Sequence, residues 1–288
     1  MKLGMVGLGR MGGNMTERLR AQGHEVATYA RSGGGTAESL EELAGQLEPT
    51  RVVWLMIPAG TPTEESVTGL LGLLDEGDVI VDGGNSNFRD SQRRSATAAE
   101  HGIGFVDAGV SGGIWGRELG YGLMVGGASD AVAAVEPAFR ALAPDGGYAH
   151  LGPSGAGHFV KMVHNGVEYG LMQAYAEGFE LMNASDFDLD LAAVAELWRH
   201  GTVVRSWLLD LLARALAEDP GLERIKGYVE DSGEGRWTVE QAIESAVPLH
   251  VITAALYARF ASRQDESVAA KVNAALRNQC GGHAIRRD

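Results

Sequence analysis

A glycine turn set directly behind a short apolar run constrains this chain more than any other feature. Lys2 to Val6 reads as a β-strand, Gly7-Leu8-Gly9-Arg10-Met11-Gly12 follows it, and a helical pattern continues beyond. A G-x-G-x-x-G turn between strand and helix bends the backbone tightly, lets it approach a pyrophosphate and aims a helix N-terminus at the phosphates. Gly7, Leu8, Gly9, Arg10, Met11 and Gly12 are therefore candidate dinucleotide-binding residues. The competing reading is a glycine-rich turn that binds nothing.

The remaining pattern supplies context for that turn. Further β-rich runs at Glu25 to Tyr29, Arg51 to Ile57, Val79 to Asp82, Phe105 to Ala108 and Leu123 to Val125 alternate with helical stretches. This is the signature of a doubly wound parallel sheet. After Gly152-Pro153-Ser154-Gly155 the pattern becomes helical, with a long helix from about Gly157 to Asn183. Shorter helices are expected at Leu189 to Arg199, Val203 to Ala217, Val239 to Ala246, Leu249 to Ala261 and Val268 to Leu276. The expected fold is α/β, a Rossmann-like sheet over residues 1–153 followed by an all-helical domain over 154–288.

Charge and cysteine content narrow the function. A net charge of -14 disfavours nucleic acid as a partner, since a polyanion demands a basic footprint. Any anionic substrate would need a few cations gathered locally against that overall field. No apolar run is long enough to span a bilayer, and the opening residues run straight into the glycine turn without space for a leader. With Cys280 as the one cysteine, a reducing, cytoplasmic location is expected. One cysteine and scattered histidines build no zinc motif, so no metal is expected.

NAD-selective sites usually carry an acid about 20 residues after the glycine turn, bonded to the ribose 2′-hydroxyl. That stretch reads Tyr29-Ala30-Arg31-Ser32, with no carboxylate and with an arginine suited to a 2′-phosphate. NADP is thus favoured over NAD through Arg31 and Ser32; the alternative for Arg31 is a solvated loop residue.

Lys161, His164, Asn165 and Glu168 stand at i, i+3, i+4 and i+7, so one face of the long helix displays all four. Two readings of this stripe stand side by side. It is a solvated face, or it is catalytic: a partly desolvated lysine takes a hydroxyl proton, a buried glutamic acid returns one to carbon, and His164 and Asn165 orient substrate.

Seven segments, GLGRMGGNM (Gly7 to Met15), WLMIPAG (Trp54 to Gly60), VDGGNSNFRD (Val81 to Asp90), GVSGG (Gly109 to Gly113), GHFVKMVHNGVEYG (Gly157 to Gly170), RWT (Arg236 to Thr238) and RNQCGGH (Arg277 to His283), run from one end of the chain to the other. Together they resemble the β-hydroxyacid dehydrogenase family, and within it the phosphogluconate branch in its short form. Relatives acting on small hydroxy acids typically carry Lys-x-x-Asn-Asn on the catalytic helix, where this chain has Lys161-x-x-His164-Asn165.

The resemblance implies oxidative decarboxylation of 6-phosphogluconate to ribulose 5-phosphate with reduction of NADP or NAD. It assigns the acid-base pair to Lys161 and Glu168, and substrate orientation to Asn85, Ser111, Gly112, Gly113, His164 and Asn165. Ile57, Pro58 and Asn85 would join the cofactor site. The phosphate roles fall on Tyr169, Arg236, Thr238, Arg259, Arg277 and His283, the last two lent by the tail of a second subunit. This makes a homodimer or homotetramer the expected assembly and residues 154–288 the substrate-binding and oligomerisation domain. Two departures bear on specificity: Arg236 stands where the family usually has lysine, and Pro58 where longer members often do. A dehydrogenase of a smaller 3-hydroxy acid and a noncatalytic dinucleotide-binding protein are the rival readings.

Overall fold

The computed structural model describes residues 1–281 and 284–286. The chain divides into two compact units, Met1–Asn165 and Gly166–Asp288.

In the first unit, strands and helices alternate in the order β1 (Lys2–Val6), α1 (Arg10–Ala21), β2 (Glu25–Tyr29), α2 (Leu40–Gly45), β3 (Val52–Leu55), α3 (Thr61–Leu71), β4 (Val79–Asp82), α4 (Phe88–Glu100) and β5 (Gly104–Ser111). A short helix α5 (Gly116–Leu119), β6 (Gly122–Gly127), α6 (Ser129–Leu142) and β7 (Tyr148–Gly152) complete the sheet, and α7 (Ala156–Asn183) follows. The strand order is β2-β1-β3-β4-β5-β6-β7.

The first five strands are parallel, as the alternating pattern predicts. β6 departs from this by running antiparallel to β5, with Ala108 opposite Val125, and β7 then pairs parallel to β6. β7 was not anticipated. Its residues are mostly exposed or half-buried, so this edge strand lacks the continuous apolar run by which a buried strand is recognised.

Successive residues of the central strands face opposite sides of the sheet. Leu3, Met5, Val52, Trp54, Val79 and Val81 pack on one side with Met15 and Leu19 of α1 and Val135, Phe139 and Leu142 of α6. Val53, Leu55 and Ile80 pack on the other with Leu43 of α2, Val67 and Leu70 of α3 and Ala98 of α4. Both faces are thereby covered, which explains why β3 and β4 consist of uniformly buried residues.

The second unit is helical, with α8 (Leu191–Trp198), α9 (Trp207–Glu218), α10 (Glu234–Glu244), α11 (His250–Ala261) and α12 (Val268–Gly281) following the C-terminal part of α7. Its packing centres are Phe179, Ala195, Leu209, Ala213 and Leu216, and Tyr169, Ala255 and Leu256. Ser206 and Asp190 cap α9 and α8 by accepting the Leu209 and Ala193 N–H groups. Among the described residues no helix is long and apolar enough to cross a membrane.

Candidate active site

The glycine turn sits at the carboxyl end of β1. Gly7 adopts φ +96, and a Cβ there would lie 2.4 Å from the Met56 carbonyl oxygen; a Cβ on Gly12 would lie 2.0 Å from the Gly7 oxygen. At Gly9 an added Cβ would meet nothing within 4 Å. The turn is therefore closed against the sheet at its first and third glycines and open at its second, where a diphosphate must approach. Gly9 caps α1 with no side-chain hydrogen bond, which leaves the N-terminal amides aimed outward. Leu8, Arg10 and Met11 complete the turn. These residues fit a dinucleotide.

Beside the turn, at the carboxyl ends of β1, β2 and β3, opens a cleft of about 330 Å³ whose walls include Gly7, Tyr29, Arg31, Ile57, Pro58 and Glu65. Arg31, Ile57 and Pro58 thus come together, while Ser32 is exposed next to Arg31. The sequence gives no sign of Glu65, an exposed position on α3. Its carboxylate lies 3.5 Å from the Arg31 guanidinium.

Asn85 is exposed in the loop between β4 and α4. A buried polar network shapes that loop: Asp82 accepts from Gly84 N at 3.1 Å, from Ser86 Oγ at 2.7 Å and from Arg94 at 3.1 Å. Arg94 is 2% exposed and also reaches Glu64 of α3 at 3.0 Å.

The beginning of α7 is seated on β5 and β6. Asp107, fully buried in β5, accepts the Gly155 and His158 N–H groups at 2.6 and 2.8 Å. A carboxylate at a helix N-terminus satisfies amides that have no partner within the helix and opposes the positive end of its dipole. His158 Nδ1 and the Ser91 hydroxyl lie 2.7 Å apart. In the sequence Asp107 is marked only as an acid inside the apolar run Phe105 to Val110, with no motif around it.

Lys161 is buried one turn later, and a Cβ on Gly109 would lie 2.4 Å from its Cβ. Its side chain leaves the helix flat against the β5 backbone. At the end of β5, the Ser111 hydroxyl and His164 Nε2 are 3.3 Å apart, and His164 Nδ1 is 3.1 Å from Asn165 Oδ1. With the Asn165 carbonyl accepting, Nδ1 carries the ring proton and Nε2 accepts from Ser111. Gly112 and Gly113 turn the chain away at φ 129 and 53. Lys161, His164, Asn165 and Ser111 are thereby gathered within the first unit.

The second unit holds the other predicted residues. Glu168 is half-buried on α7 and Tyr169 is buried. The Tyr169 hydroxyl accepts from Ser232 N at 3.1 Å, and the Arg259 guanidinium stacks 3.6 Å from its ring centroid. Arg259 also donates to the Glu230 carbonyl at 2.9 Å. Thr238 is buried and donates to the Glu234 carbonyl at 2.7 Å. Arg236 forms a two-pronged pair with Asp231, at 2.6 and 3.1 Å, and Arg263 reaches the same carboxylate at 2.7 Å. The Arg236 and Arg263 guanidiniums pull the Asp231 carboxyl down to about 2. Asp231 and Arg263 lie in no motif of the sequence. Arg277 is exposed on α12, and His283 lies outside the described residues.

A glycine turn open to a diphosphate, a cleft at the strand ends and a buried lysine on a helix that leads into an all-helical unit define a dinucleotide-dependent dehydrogenase. Known proteins make the class specific. Residues 2–152 match the NAD binding domain of 6-phosphogluconate dehydrogenase, and residues 157–283 match its C-terminal domain. The chain belongs to the 6-phosphogluconate dehydrogenase family.

The NAD(+)-dependent, decarboxylating 6-phosphogluconate dehydrogenase of Haloferax volcanii is 43% identical over 300 residues, covering 100% of this chain and 99% of its own. The decarboxylating enzyme of Lactococcus lactis strain IL1403 is 38% identical over 93% of this chain, which spans 62% of that longer protein. The solved structure of Plasmodium falciparum 6-phosphogluconate dehydrogenase, described with NADP+ and with 6-phosphogluconate, superposes with a TM-score of 0.83 at 29% identity, covering 100% of this chain and 66% of its own.

Proposed function

We propose that this chain oxidises and decarboxylates 6-phosphogluconate to ribulose 5-phosphate and carbon dioxide with a nicotinamide dinucleotide as oxidant. The observation that carries the reading is the buried Lys161 laid against Gly109 beside the Ser111-His164-Asn165 hydrogen-bonded chain. A solvated polar stripe would bury neither the lysine nor the asparagine. The full-length likeness to the Haloferax enzyme supports the substrate and reaction.

In this reading the glycine turn from Gly7 to Gly12 holds the diphosphate, and Arg31, Ser32, Ile57, Pro58 and Asn85 bound the rest of the cofactor site. The nicotinamide, when bound, supplies the acceptor for the C3 hydride. Lys161, deprotonated, takes the proton of the C3 hydroxyl. As an ammonium it then hydrogen-bonds the new C3 ketone, which draws the electrons released as the C1 carboxylate leaves as carbon dioxide. Glu168, seven residues further along the same helix, donates its proton to the enediol carbon and yields the product. Ser111, Gly112, Gly113, His164 and Asn165 orient the sugar hydroxyls.

Tyr169, Arg236, Thr238 and Arg259 are assigned to the substrate phosphate, with Arg277 and His283 reaching it from a second copy in a homodimer or homotetramer. Cations gathered on one unit would meet a phosphate despite the net charge of -14. A cytoplasmic enzyme is part of this reading, and the single cysteine suits a reducing compartment.

The test is reduction of NAD+ and NADP+ with 6-phosphogluconate, followed by the ultraviolet absorbance of the reduced nicotinamide while carbon dioxide is trapped. Turnover with one carbon dioxide per reduced cofactor is expected. Silence with both cofactors would redirect the assignment to a smaller 3-hydroxy acid or to a noncatalytic role.

A further inference from the structure

The cleft beside the glycine turn carries two charged groups among its lining residues, Arg31 after β2 and Glu65 on α3. In this class of fold the end of β2 faces the adenosine ribose, and an acid there accepts the 2′-hydroxyl of NAD. This chain has Arg31 in that region and no acid between Tyr29 and Ser32. Glu65 brings a carboxylate to the same place from another element, with its Oε2 3.5 Å from Arg31 Nη2. Both side chains are mostly exposed, 80% and 64%, so a nucleotide entering the cleft can reach them.

α3 is not free to carry Glu65 away. Thr63 of α3 donates to the Pro58 carbonyl at 2.9 Å, and the neighbouring Glu64 is gripped by Arg93 at 2.6 Å and by the buried Arg94 at 3.0 Å.

We propose that Glu65 sets the choice of cofactor. It accepts the ribose 2′-hydroxyl in place of the missing β2 acid and repels a 2′-phosphate, so that the chain prefers NAD+ over NADP+. Arg31 alone points to NADP, but its charge is matched by Glu65, and a dianionic phosphate entering between them gains one attraction and meets one repulsion. A ribose hydroxyl donates to the carboxylate at no such cost. The proposal rests on the dehydrogenase reading only in requiring that a dinucleotide occupy this cleft.

The test titrates wild type and Glu65→Gln with NAD+ and NADP+ by calorimetry without substrate, and separately compares kcat/KM for the two cofactors with 6-phosphogluconate. Wild type is expected to bind NAD+ more tightly. Glu65→Gln is expected to move the NADP+ to NAD+ ratio toward NADP+ by about tenfold, in binding and in kcat/KM alike. A ratio within about twofold of wild type, or a wild type that already favours NADP+, overturns the proposal. Failure of both nucleotides to bind overturns it together with the dinucleotide reading. The expected shift in binding without turnover supports it and removes only 6-phosphogluconate as the substrate.

Discussion

Asp107 Oδ2 accepts the backbone N–H of His158 at 2.8 Å, from the middle of β5 to the first turn of α7. Oδ1 takes Gly155 N–H at 2.6 Å, so one buried carboxylate holds the start of the helix that presents Lys161. Asp107→Asn places an amide donor against one of these N–H groups and leaves it unsatisfied. The expected cost is about 2–4 kcal/mol, or roughly 5–10 °C in Tm. Thermal unfolding checks this cost, and displacement of Lys161 with the loosened helix start is expected to lower kcat further than cofactor affinity. An unchanged Tm would show that the helix is seated by other means.

Gly157 tests the same contact sterically. A Cβ there would lie 2.4 Å from the Met124 oxygen and 2.5 Å from the Asp107 oxygen, both backbone atoms of the sheet. Gly157→Ala must lift α7 from β5 and β6. Overpacking of this kind costs about 1–3 kcal/mol, measurable as a lower urea midpoint, and Lys161 shifts with the helix, so kcat drops as well.

Lys161→Met keeps the length and apolar stem of the side chain while removing its proton acceptor. Turnover with 6-phosphogluconate is expected to fall about 10²–10⁴-fold, as for loss of a general base. NAD+ affinity, set by the glycine turn and the β1–β3 cleft, stays near wild type by calorimetry. Near-normal turnover would remove Lys161 from the role of base.

Asp231 gives a pH dependence of known sign. The Arg236 and Arg263 guanidiniums lower its carboxyl from 3.8 to about 2. The unfolded chain therefore binds this proton at a higher pH than the folded one. The pair's contribution to stability is present in full above pH 4–5 and is lost as pH falls toward 2. Arg236 is 48% exposed, so solvent screening reduces the contribution to about 1 kcal/mol. Urea unfolding at stepped pH should show a steeper acid loss in wild type than in Asp231→Asn; parallel profiles would contradict the pairing.

Arg94 is buried against Asp82, with Nη1 3.1 Å from the carboxylate. Arg94→Met strands that carboxylate and is expected to cost about 3–5 kcal/mol. Asp82 also orders Gly84 and Ser86 on either side of Asn85. A raised KM for 6-phosphogluconate or cofactor should therefore accompany the lower unfolding midpoint, and a stability loss without any kinetic effect would confine Arg94 to the scaffold.

The elements that were readable in advance are those whose signal is local. β1, its glycine turn and α1 follow from an apolar run, a fixed glycine spacing and a helical period. The 28-residue α7 follows from the lack of any breaker before Asn183. The Lys161, His164 and Asn165 positions share a helix face by spacing alone. β7 carried too little apolar alternation to be seen, and the antiparallel direction of β6 is a property of its pairing with β5, which no single segment records.

The strand and helix pattern up to β6, the dinucleotide turn and the residues that share a face of α7 are written in short-range periodicity and spacing, whereas the class of chemistry rests on the likeness of seven separated segments to a known family. Which amides and cations each carboxylate meets follows only from how the folded chain packs. Asp107 under the start of α7, Asp231 between Arg236 and Arg263, and Glu65 beside Arg31 are pairs separated by 51 residues at most in the first case, and by 5 to 34 in the others. Packing of helices against the sheet and against one another sets these distances, and a charge-assisted hydrogen bond forms only when donor and acceptor come within about 3 Å. A cation's role is therefore settled by its neighbour in space.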